Sequence, residues 1–218
     1  LYLSKFDEEA IQALGFEGSR EAFNTIGYVI GSKPASIKNY RDEFDPYFPN
    51  PRKGWHKRAL RDYCKVFLEN FGQLSFQSFT NLMKSFIYSD YEIQDFLAKI
   101  EKRDFSAAIA KRLLTGTAAE EYFRSSYHSI SVFQNFSLTD TTKNACGFDF
   151  KLDNNKEYYC IEVKGLNAAK GSISLTEKEY STAKNIRERY CLFIVSNFIE
   201  KPQHEYYFNP LDSRLSFS

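Results

Sequence analysis

Hydrophobic positions recur with a helical period through the first half of the chain. Apolar residues there stand three or four positions apart, as they do on one face of an α-helix. The spacing predicts helices over 8–14, 19–30, 34–44 and 57–71, and further helices over 74–115. On the helices over 34–44 and 57–71 the predicted buried positions are Ile37, Tyr40, Phe44, Leu60, Tyr63, Cys64, Phe67 and Phe71. Over 74–115 they are Phe76, Phe79, Leu82, Phe86, Ile93, Phe96, Leu97 and Ile100.

From residue 112 onward, short apolar runs alternate with helical segments. A helix carrying Glu120 comes first. Strands are predicted over 129–136, on both sides of a turn at 153–155, over 190–196 and over 206–208. Thr176 and Glu179 form the pattern of a capping box, which predicts a helix from Thr176 through Arg189. The run over 190–196 is almost wholly apolar, as expected for a strand buried on both faces of a sheet.

The composition is that of a folded protein able to bury a core. Of the 218 residues, 43% are hydrophobic and 26% are charged, which argues against both disorder and a membrane protein. No apolar run reaches the length of a transmembrane helix, and no signal-peptide core follows the first residues. We expect an α/β (α+β) architecture: a helical region, 1–111, followed by a domain with a mixed β-sheet flanked by helices, 112–218.

The cysteines indicate neither a metal site nor a disulfide framework. Cys64, Cys146, Cys160 and Cys191 are scattered along the chain and form no Cys-x-x-Cys pair. A reducing cytoplasm is therefore the expected environment.

One predicted hairpin carries two carboxylates and an amine. Asp149 precedes the turn at 153–155, and Glu162 and Lys164 follow it on one face of a strand, because side chains two positions apart point the same way. The hairpin would bring Asp149 beside Glu162. Converging carboxylates bind hard divalent cations such as Mg²⁺, and a neighbouring ammonium positions or deprotonates a water molecule. The alternative is an ordinary solvated strand face that carries an ion pair.

This stretch resembles the active site of the PD-(D/E)xK nucleases, the restriction-endonuclease-like superfamily, and its Mrr-like members in particular. In those members a helix with a Gly-x-x-aromatic-or-small-Glu pattern precedes the site, and Gly116-Thr117-Ala118-Ala119-Glu120 stands in that place. Phe148 occupies the position of the proline that gives the motif its first letter. The resemblance covers roughly 112–208 and implies a restriction-endonuclease-like core with a central mixed sheet. Its elements would follow in the order helix, strand of Asp149, strand of Glu162 and Lys164, helix and strand.

The resemblance also implies roles for individual residues. Asp149, Glu162 and the main-chain carbonyl of Val163 would bind Mg²⁺, with Mn²⁺ as a substitute. Lys164 would orient the attacking water, and Glu120 would support this metal ion or a second one. Glu121 points about 100° away around the helix, so only one of the two glutamates can face the site. Glu120 fits the family pattern; the alternative is that both are solvent-exposed helix acids.

At the level of function, the resemblance implies hydrolysis of double-stranded DNA by a prokaryotic, cytoplasmic restriction endonuclease. Such enzymes usually dimerise to cut both strands, so a homodimer is expected. Two alternatives stay open. One is a DNA-binding protein whose nuclease-like domain is inactive, and the other is a DNA-repair nuclease that depends on DNA structure or ends instead of sequence.

Residues 31–42, at the start of a basic stretch of the helical region, are similar to the second half of a helix-turn-helix module. Over 33–65, nine Lys or Arg residues outnumber four Asp or Glu residues, a local charge of +5, whereas the whole chain carries +1. Helix, short glycine turn and helix make up the pattern. The predicted DNA contacts are Lys33, Ser36, Lys38, Asn39, Arg41, Arg52, Lys53 and Lys57. A purely structural three-helix cap has the same periodicity and is the alternative.

Overall fold

The computed structural model describes residues 1–87, 103–213 and 215, with the backbone alone at 85 and 103–110. The chain divides into two compact units, Leu1–Leu114 and Thr115–Ser218. Both this division and the predicted boundary after residue 111 fall within one long helix. The predicted core positions Ile93, Phe96, Leu97 and Ile100 lie outside the described residues.

Helices build the described part of the first unit. They are α1 (Tyr2–Lys5), α2 (Asp7–Ala13), α3 (Ser19–Val29), α4 (Pro34–Phe44), α5 (Asp62–Phe71), α6 (Phe76–Ile87) and α7 (Arg103–Ser126), the last of which continues into the second unit. Helix α3 begins at Ser19 as predicted. Helix α4 has Pro34 in its first turn, where a missing N–H leaves no intrahelical hydrogen bond unmade.

Helix α5 is shorter than the predicted helix over 57–71. It begins at Asp62 because the residue before it, Arg61, has an extended backbone and gives its N–H to a carboxylate oxygen of Glu43 at 3.0 Å. The Arg61 guanidinium binds the same carboxylate, with Nε 2.9 and 3.0 Å from the two oxygens. A side-chain contact distant in sequence therefore sets the start of this helix.

The core of the first unit is apolar and draws on most of its helices. It contains Tyr2, Leu3, Ala10, Ile11, Leu14, Phe16, Ala22, Phe23, Ile26, Phe79, Ile87 and Leu114. Phe44, Leu60 and Cys64 form a smaller buried cluster, as predicted. The predicted burial of Tyr40, Tyr63, Phe67 and Phe86 is wrong, since these residues are 39%, 47%, 53% and 66% exposed and line apolar cavities open to solvent.

A five-stranded mixed sheet forms the centre of the second unit. Its strands are β1 (Ser137–Asp140), β2 (Phe150–Asp153), β3 (Tyr158–Gly165), β4 (Tyr190–Ser196) and β5 (Gln203–Phe208), in the spatial order β1-β2-β3-β4-β5. Neighbouring strands are antiparallel except β3 and β4, which are parallel. Helix α8 (Glu177–Ile186) connects the parallel pair. The α/β class, with a helical region and a mixed sheet, is confirmed.

The predicted strand over 129–136 is wrong. This segment forms consecutive turns, in which the Phe133 and Gln134 N–H groups donate to the Ile130 carbonyl at 2.8 and 3.0 Å. Ile130, Phe133 and Phe136 are buried at a spacing of three, which suits turns, whereas a strand would bury every second residue. The strand β1 begins only at Ser137, after the predicted strand has ended.

Strand β4 is almost wholly buried and coincides with the predicted strand over 190–196. Phe193 packs on Phe123 of α7, with ring centroids 4.8 Å apart. Tyr190, at the opposite parity, packs in a cluster with Ala183 of α8. Because alternate side chains of a strand point to opposite faces, α7 and α8 cover opposite faces of the sheet. Within the described ranges, no helix is long and apolar enough to cross a bilayer.

One buried carboxylate ties the first unit together. The Asp45 side chain is fully buried, and it accepts hydrogen bonds from Ser4 Oγ at 2.8 Å and from Arg52 Nε and Nη2 at 2.9 and 3.0 Å. Arg52 also pairs with Asp7. Arg41 lies 4.0 Å from Asp45 and stacks over the Phe23 ring at 4.9 Å. Two arginines predicted to contact DNA are therefore engaged inside the unit.

Replacing Arg52 by alanine leaves Asp45 buried without its strongest partner. We expect Arg52→Ala to lower the free energy of unfolding by about 3 kcal/mol, since removing one member of a buried ion pair strands the other charge. Chemical denaturation measures this loss. Lys53→Ala is the matched control, because Lys53 is exposed and its loss should cost about 0.5 kcal/mol or less. Equal effects of the two substitutions would contradict the structural role of Arg52.

Candidate active site

The hairpin of β2 and β3 places Asp149 beside Glu162. Phe150 is paired with Ile161, the Asp149 N–H donates to the Ile161 carbonyl at 2.9 Å, and Asp149 and Glu162 line the same cavity. The turn is locked by its own side chains, since Asp153 Oδ1 accepts the Asn155 N–H at 2.8 Å. The predicted hairpin, with its turn at 153–155, is confirmed.

The backbone before Asp149 is held in one conformation. Gly147 has a φ of +89°, and a Cβ there would lie 2.4 Å from Thr182 Oγ1 on α8, so the position favours glycine for both reasons. The buried Tyr190 hydroxyl donates to the Gly147 carbonyl at 3.1 Å. These contacts direct the chain, and therefore the Asp149 side chain, towards the edge of β3.

The Asp149 carboxylate is fixed by a main-chain group. Its Oδ2 accepts the Val163 N–H at 2.8 Å. Because the N–H and C=O of a strand residue lie on the same edge, the Val163 carbonyl also points to the side of Asp149. Two of the predicted ligand groups thus share one edge of β3, and Glu162 stands next to them along the strand.

Glu162 and Lys164 share a face of β3, as the spacing predicted, and form a close ion pair. Lys164 Nζ lies 2.6 Å from Glu162 Oε1, and Glu162 is only 3% exposed. The same ammonium lies 2.7 Å from Oε2 of Glu179 on α8. Pairing with two carboxylates shows that this is not the solvated strand face of the alternative interpretation.

Glu179 is the residue of this site that the sequence did not reveal as such. Its place in a capping box with Thr176 was predicted and is confirmed. The contact with Lys164 joins residues 15 positions apart across a loop, and local periodicity carries no signal for it. The one local signal for a site residue on α8 is the pair of acidic residues, Glu177 and Glu179, in its first turn.

Close approach of α7 brings Glu120 towards the hairpin. A Cβ at Gly165 would lie 2.5 Å from the Thr115 carbonyl and 3.1 Å from the Ala119 Cβ, so the glycine after Lys164 allows the helix to pack against the strand end. Glu121 turns away and pairs with Arg124 at 3.0 Å. Glu120 is the one whose pKa responds to the charge of Asp149.

Burial and mutual repulsion raise the pKa values of the carboxylates. Burial raises the pKa of Glu120 to about 7, with the charge of Asp149 acting in the same direction. Burial also raises the pKa of Asp149 to about 6, although the Val163 N–H and Lys164 act against it. For Glu162, burial and then Asp149 raise the pKa, and Lys164 opposes them. The site is a cluster of acids that lacks sufficient positive charge.

The pKa values of Lys164 on β3 and Glu179 on α8 shift so that both groups stay charged. Burial acts to lower the pKa of Lys164, but the charges of Glu162 and Glu179 outweigh it and raise that pKa. Burial acts to raise the pKa of Glu179, but hydrogen bonds from Lys164 and the Thr176 N–H lower it. Lys164 is therefore an ammonium, and Glu179 a carboxylate, near neutral pH.

The donor set fits a hard divalent cation. A cavity of about 230 Å³ is lined by both Asp149 and Glu162. Among the described residues, no three His, Cys, Asp or Glu side chains stand close enough to hold one ion between them. Mg²⁺ is commonly bound by one or two carboxylates and several water molecules, so Asp149, Glu162 and the Val163 carbonyl match its preferences. Glu120 belongs to the outer part of such a site.

The predicted DNA contacts in the first unit fall into two groups. Lys33, Lys38 and Asn39 on or beside α4 are exposed, and so are Lys53 and Lys57 in the following loop, whereas Ser36 is half-buried. Lys38 makes only a long ion pair with Asp42, at 3.8 Å. Arg41 and Arg52, by contrast, are 12% and 21% exposed in their side chains and pair with acids of the unit.

One family comparison gives a match, and it falls on the second unit. The family model described as the C-terminal region of Protein NO VEIN matches residues 119–208. The matched span begins beside Glu120 and ends at the last residue of β5, so it includes Asp149, Glu162, Lys164 and Glu179. Over this span the chain is similar to that region. Neither a curated protein nor a solved structure gave a match.

The raised pKa of Glu120 leads to a test of the site without any metal ion. A carboxyl group whose pKa rises on folding contributes stability at low pH that is lost as the pH passes the folded-state value, here about 7 against an ordinary 4.5. We expect Glu120→Gln to raise the free energy of unfolding at pH 8 by roughly 1–3 kcal/mol. At pH 4 the gain should vanish, because the native carboxyl is then protonated.

Denaturation in EDTA at the two pH values measures this difference. Glu121→Gln is the matched control, since it neutralises the adjacent acid but removes a pair with Arg124, and should give no gain. A gain that is the same at pH 4 and pH 8 would show that ionisation of the buried Glu120 carboxyl is not its cause.

Proposed function

We propose that this protein is a metal-dependent endodeoxyribonuclease of the PD-(D/E)xK superfamily, in its Mrr-like branch, that hydrolyses phosphodiester bonds of double-stranded DNA. The observation that carries the proposal is the convergence of Asp149, Glu162 and Lys164 around the C-terminal half of β3, the central strand of the sheet. Two largely buried carboxylates beside an ammonium that is fixed by ion pairs form a set suited to phosphodiester hydrolysis.

The order of elements around these residues supports the same proposal. A helix carrying Glu120 precedes the hairpin of Asp149 and Glu162, and a helix and a buried parallel strand follow it. This is the order that the resemblance implied. Phe148 in place of proline does not disturb the position of Asp149, because the Gly147 turn and the Val163 N–H fix it independently.

Asp149, Glu162 and the Val163 carbonyl are the groups that would hold Mg²⁺, or Mn²⁺ in its place. When bound, such a cation supplies Lewis acidity that polarises a phosphoryl oxygen and makes a bound water more acidic. Glu120 adds negative charge beside Asp149 and would favour cation binding without a direct bond. The carboxylates lose their mutual repulsion in the process.

Lys164 orients the water and neutralises developing negative charge. Because two carboxylates keep it protonated, its nitrogen has no free lone pair near neutral pH and cannot accept a proton. It can donate a hydrogen bond to the water oxygen or to a phosphate oxygen. Of the two roles open to this amine, positioning is therefore the one that we propose.

For the first unit we propose DNA binding through its exposed lysine side chains. Lys33, Lys38, Lys53 and Lys57 are exposed and suited to phosphate oxygens, and Asn39 has the amide suited to adenine. Arg41 and Arg52 are left out of this proposal because they neutralise acids within the unit. Restriction of foreign DNA in a prokaryotic cytoplasm, by a homodimer that cuts both strands, is the biological role that we propose.

Replacing Lys164 tests the cutting activity. We expect Lys164→Ala to lower the rate of plasmid cleavage in Mg²⁺ by about 10²-fold or more, since it removes a charged donor aimed at the reacting group. Binding in Ca²⁺, measured by gel shift, should stay within about threefold. Lys170→Ala, an exposed lysine in the loop after β3, is the control and should cut normally.

The outcomes separate the candidate functions. Retained cutting by Lys164→Ala would overturn the assignment of the site. DNA binding by the unmodified protein without cutting in Mg²⁺ or Mn²⁺ would indicate a DNA-binding protein with an inactive nuclease-like domain. Cut sites that follow DNA ends or structure on a defined genome, and no sequence, would indicate a repair nuclease.

A second test concerns the loop between α4 and α5. We expect a double variant, Lys53→Ala with Lys57→Ala, to weaken binding to all DNA sequences and to reduce the slope of log K against log salt by about 1–2, since each lost phosphate contact contributes about 0.9. Lys65→Ala is the control, because this lysine pairs with Asp62 on α5. An unchanged salt slope would exclude this loop from the DNA interface.

A further inference from the structure

We infer that Glu179 is the positioning residue for Lys164: the carboxylate that closes the capping box of α8 also holds the lysine ammonium beside Glu162. This inference rests on the proposed nuclease function. No residue of α8 was among the predicted site residues.

A single oxygen of Glu179 makes both contacts. Its Oε2 accepts a hydrogen bond from the Thr176 N–H at 2.9 Å and another from Lys164 Nζ at 2.7 Å. In return, Thr176 Oγ1 accepts the Glu179 N–H at 3.3 Å. The capping box turns the Glu179 side chain back over the first turn of α8, and the same turn presents it to Lys164.

This arrangement joins two elements that the chain leaves far apart in sequence. Residues 166–176, which separate β3 from α8, have no regular secondary structure. The contact between Lys164 and Glu179 therefore ties the end of β3 directly to the start of α8. The positive end of the helix dipole favours the negative charge of Glu179 in this place.

Glu179 has a task that Glu162 cannot perform alone. A lysine side chain loses rotamer entropy when it is held in one conformation, so a flexible ammonium needs a fixed partner. Glu162 is also a proposed ligand of the cation and would then share its charge between two partners. Glu179 is half-buried and pairs with Lys164 from the helix side, so it would keep the ammonium in place when Glu162 binds the cation.

Two substitutions separate this role from simple capping of the helix. Glu179→Gln keeps an oxygen that can accept the Thr176 N–H, since glutamine also serves in capping boxes, but it removes the charge that holds Lys164. Thr176→Ala removes the other half of the box and leaves the Glu179 carboxylate intact. A role in helix stability alone predicts an effect of Thr176→Ala at least as large as that of Glu179→Gln, whereas a positioning role predicts an effect of Glu179→Gln alone.

The first measurement needs neither metal ion nor activity. In the full chain labelled with ¹³C-lysine and kept in EDTA, a held Lys164 should show two separate Hε resonances, and a Lys164→Arg variant identifies them. We expect Glu179→Gln to reduce their separation by at least about half, because the side chain then averages over rotamers. Thr176→Ala should leave it unchanged.

The second measurement is cleavage in Mg²⁺. We expect Glu179→Gln to lower kcat about tenfold with KM within about twofold, since a misplaced donor affects the transition state more than substrate binding. Thr176→Ala should keep kcat within about twofold. An unchanged Hε separation in Glu179→Gln, or the same loss in both variants, would overturn the inference. If the unmodified chain does not cut DNA, the nuclease proposal fails, while the NMR result still decides whether Glu179 holds Lys164.

Discussion

The placement of several carboxylates around one ammonium in a largely buried setting governs this structure's candidate site. Asp149, Glu162 and Glu179 lie where hydration is poor, and removal from water disfavours their charged forms. Lys164 offsets part of that cost through two ion pairs. The cost that remains, burial and repulsion of the carboxylates, is the physical basis of the cation site that we propose.

Like charges stay together only when the surrounding elements are rigid enough to hold them. Three supports come from different parts of the second unit: the hairpin register fixes Asp149, the parallel pairing with buried β4 fixes β3, and the capped start of α8 fixes Glu179. The sheet is packed on both faces, by Phe123 against Phe193 on one and by Ala183 with Tyr190 on the other. The geometry of the candidate site therefore depends on how the core of the second unit packs.

In the first unit, residues of the same charge have opposite roles. Arg52 and Arg41 serve the buried Asp45, whereas Lys53 and Lys57 extend into solvent. The planar guanidinium suits a buried carboxylate that needs two hydrogen bonds, and the hydrated ammonium suits an exposed position. Local charge alone, +5 over 33–65, therefore overstates the positive surface available to a polyanion.

Features that depend on neighbours a few residues apart were determined by the sequence alone: the hairpin around 153–155, the capping box of Thr176 and Glu179, the apolar strand β4 and the shared face of Glu162 and Lys164. Predictions from local periodicity were wrong where a distant contact determined the structure. The contact of Arg61 with Glu43 makes α5 begin later than predicted, and Ile130, Phe133 and Phe136 are buried in turns instead of a strand.

Only the tertiary structure decided that Glu120 lies within electrostatic reach of Asp149 while Glu121 pairs with Arg124, and that a helix-capping glutamate also binds Lys164. Both depend on how close α7 and α8 come to β3. That distance is set by the packing of the whole core, and no spacing along the chain encodes it.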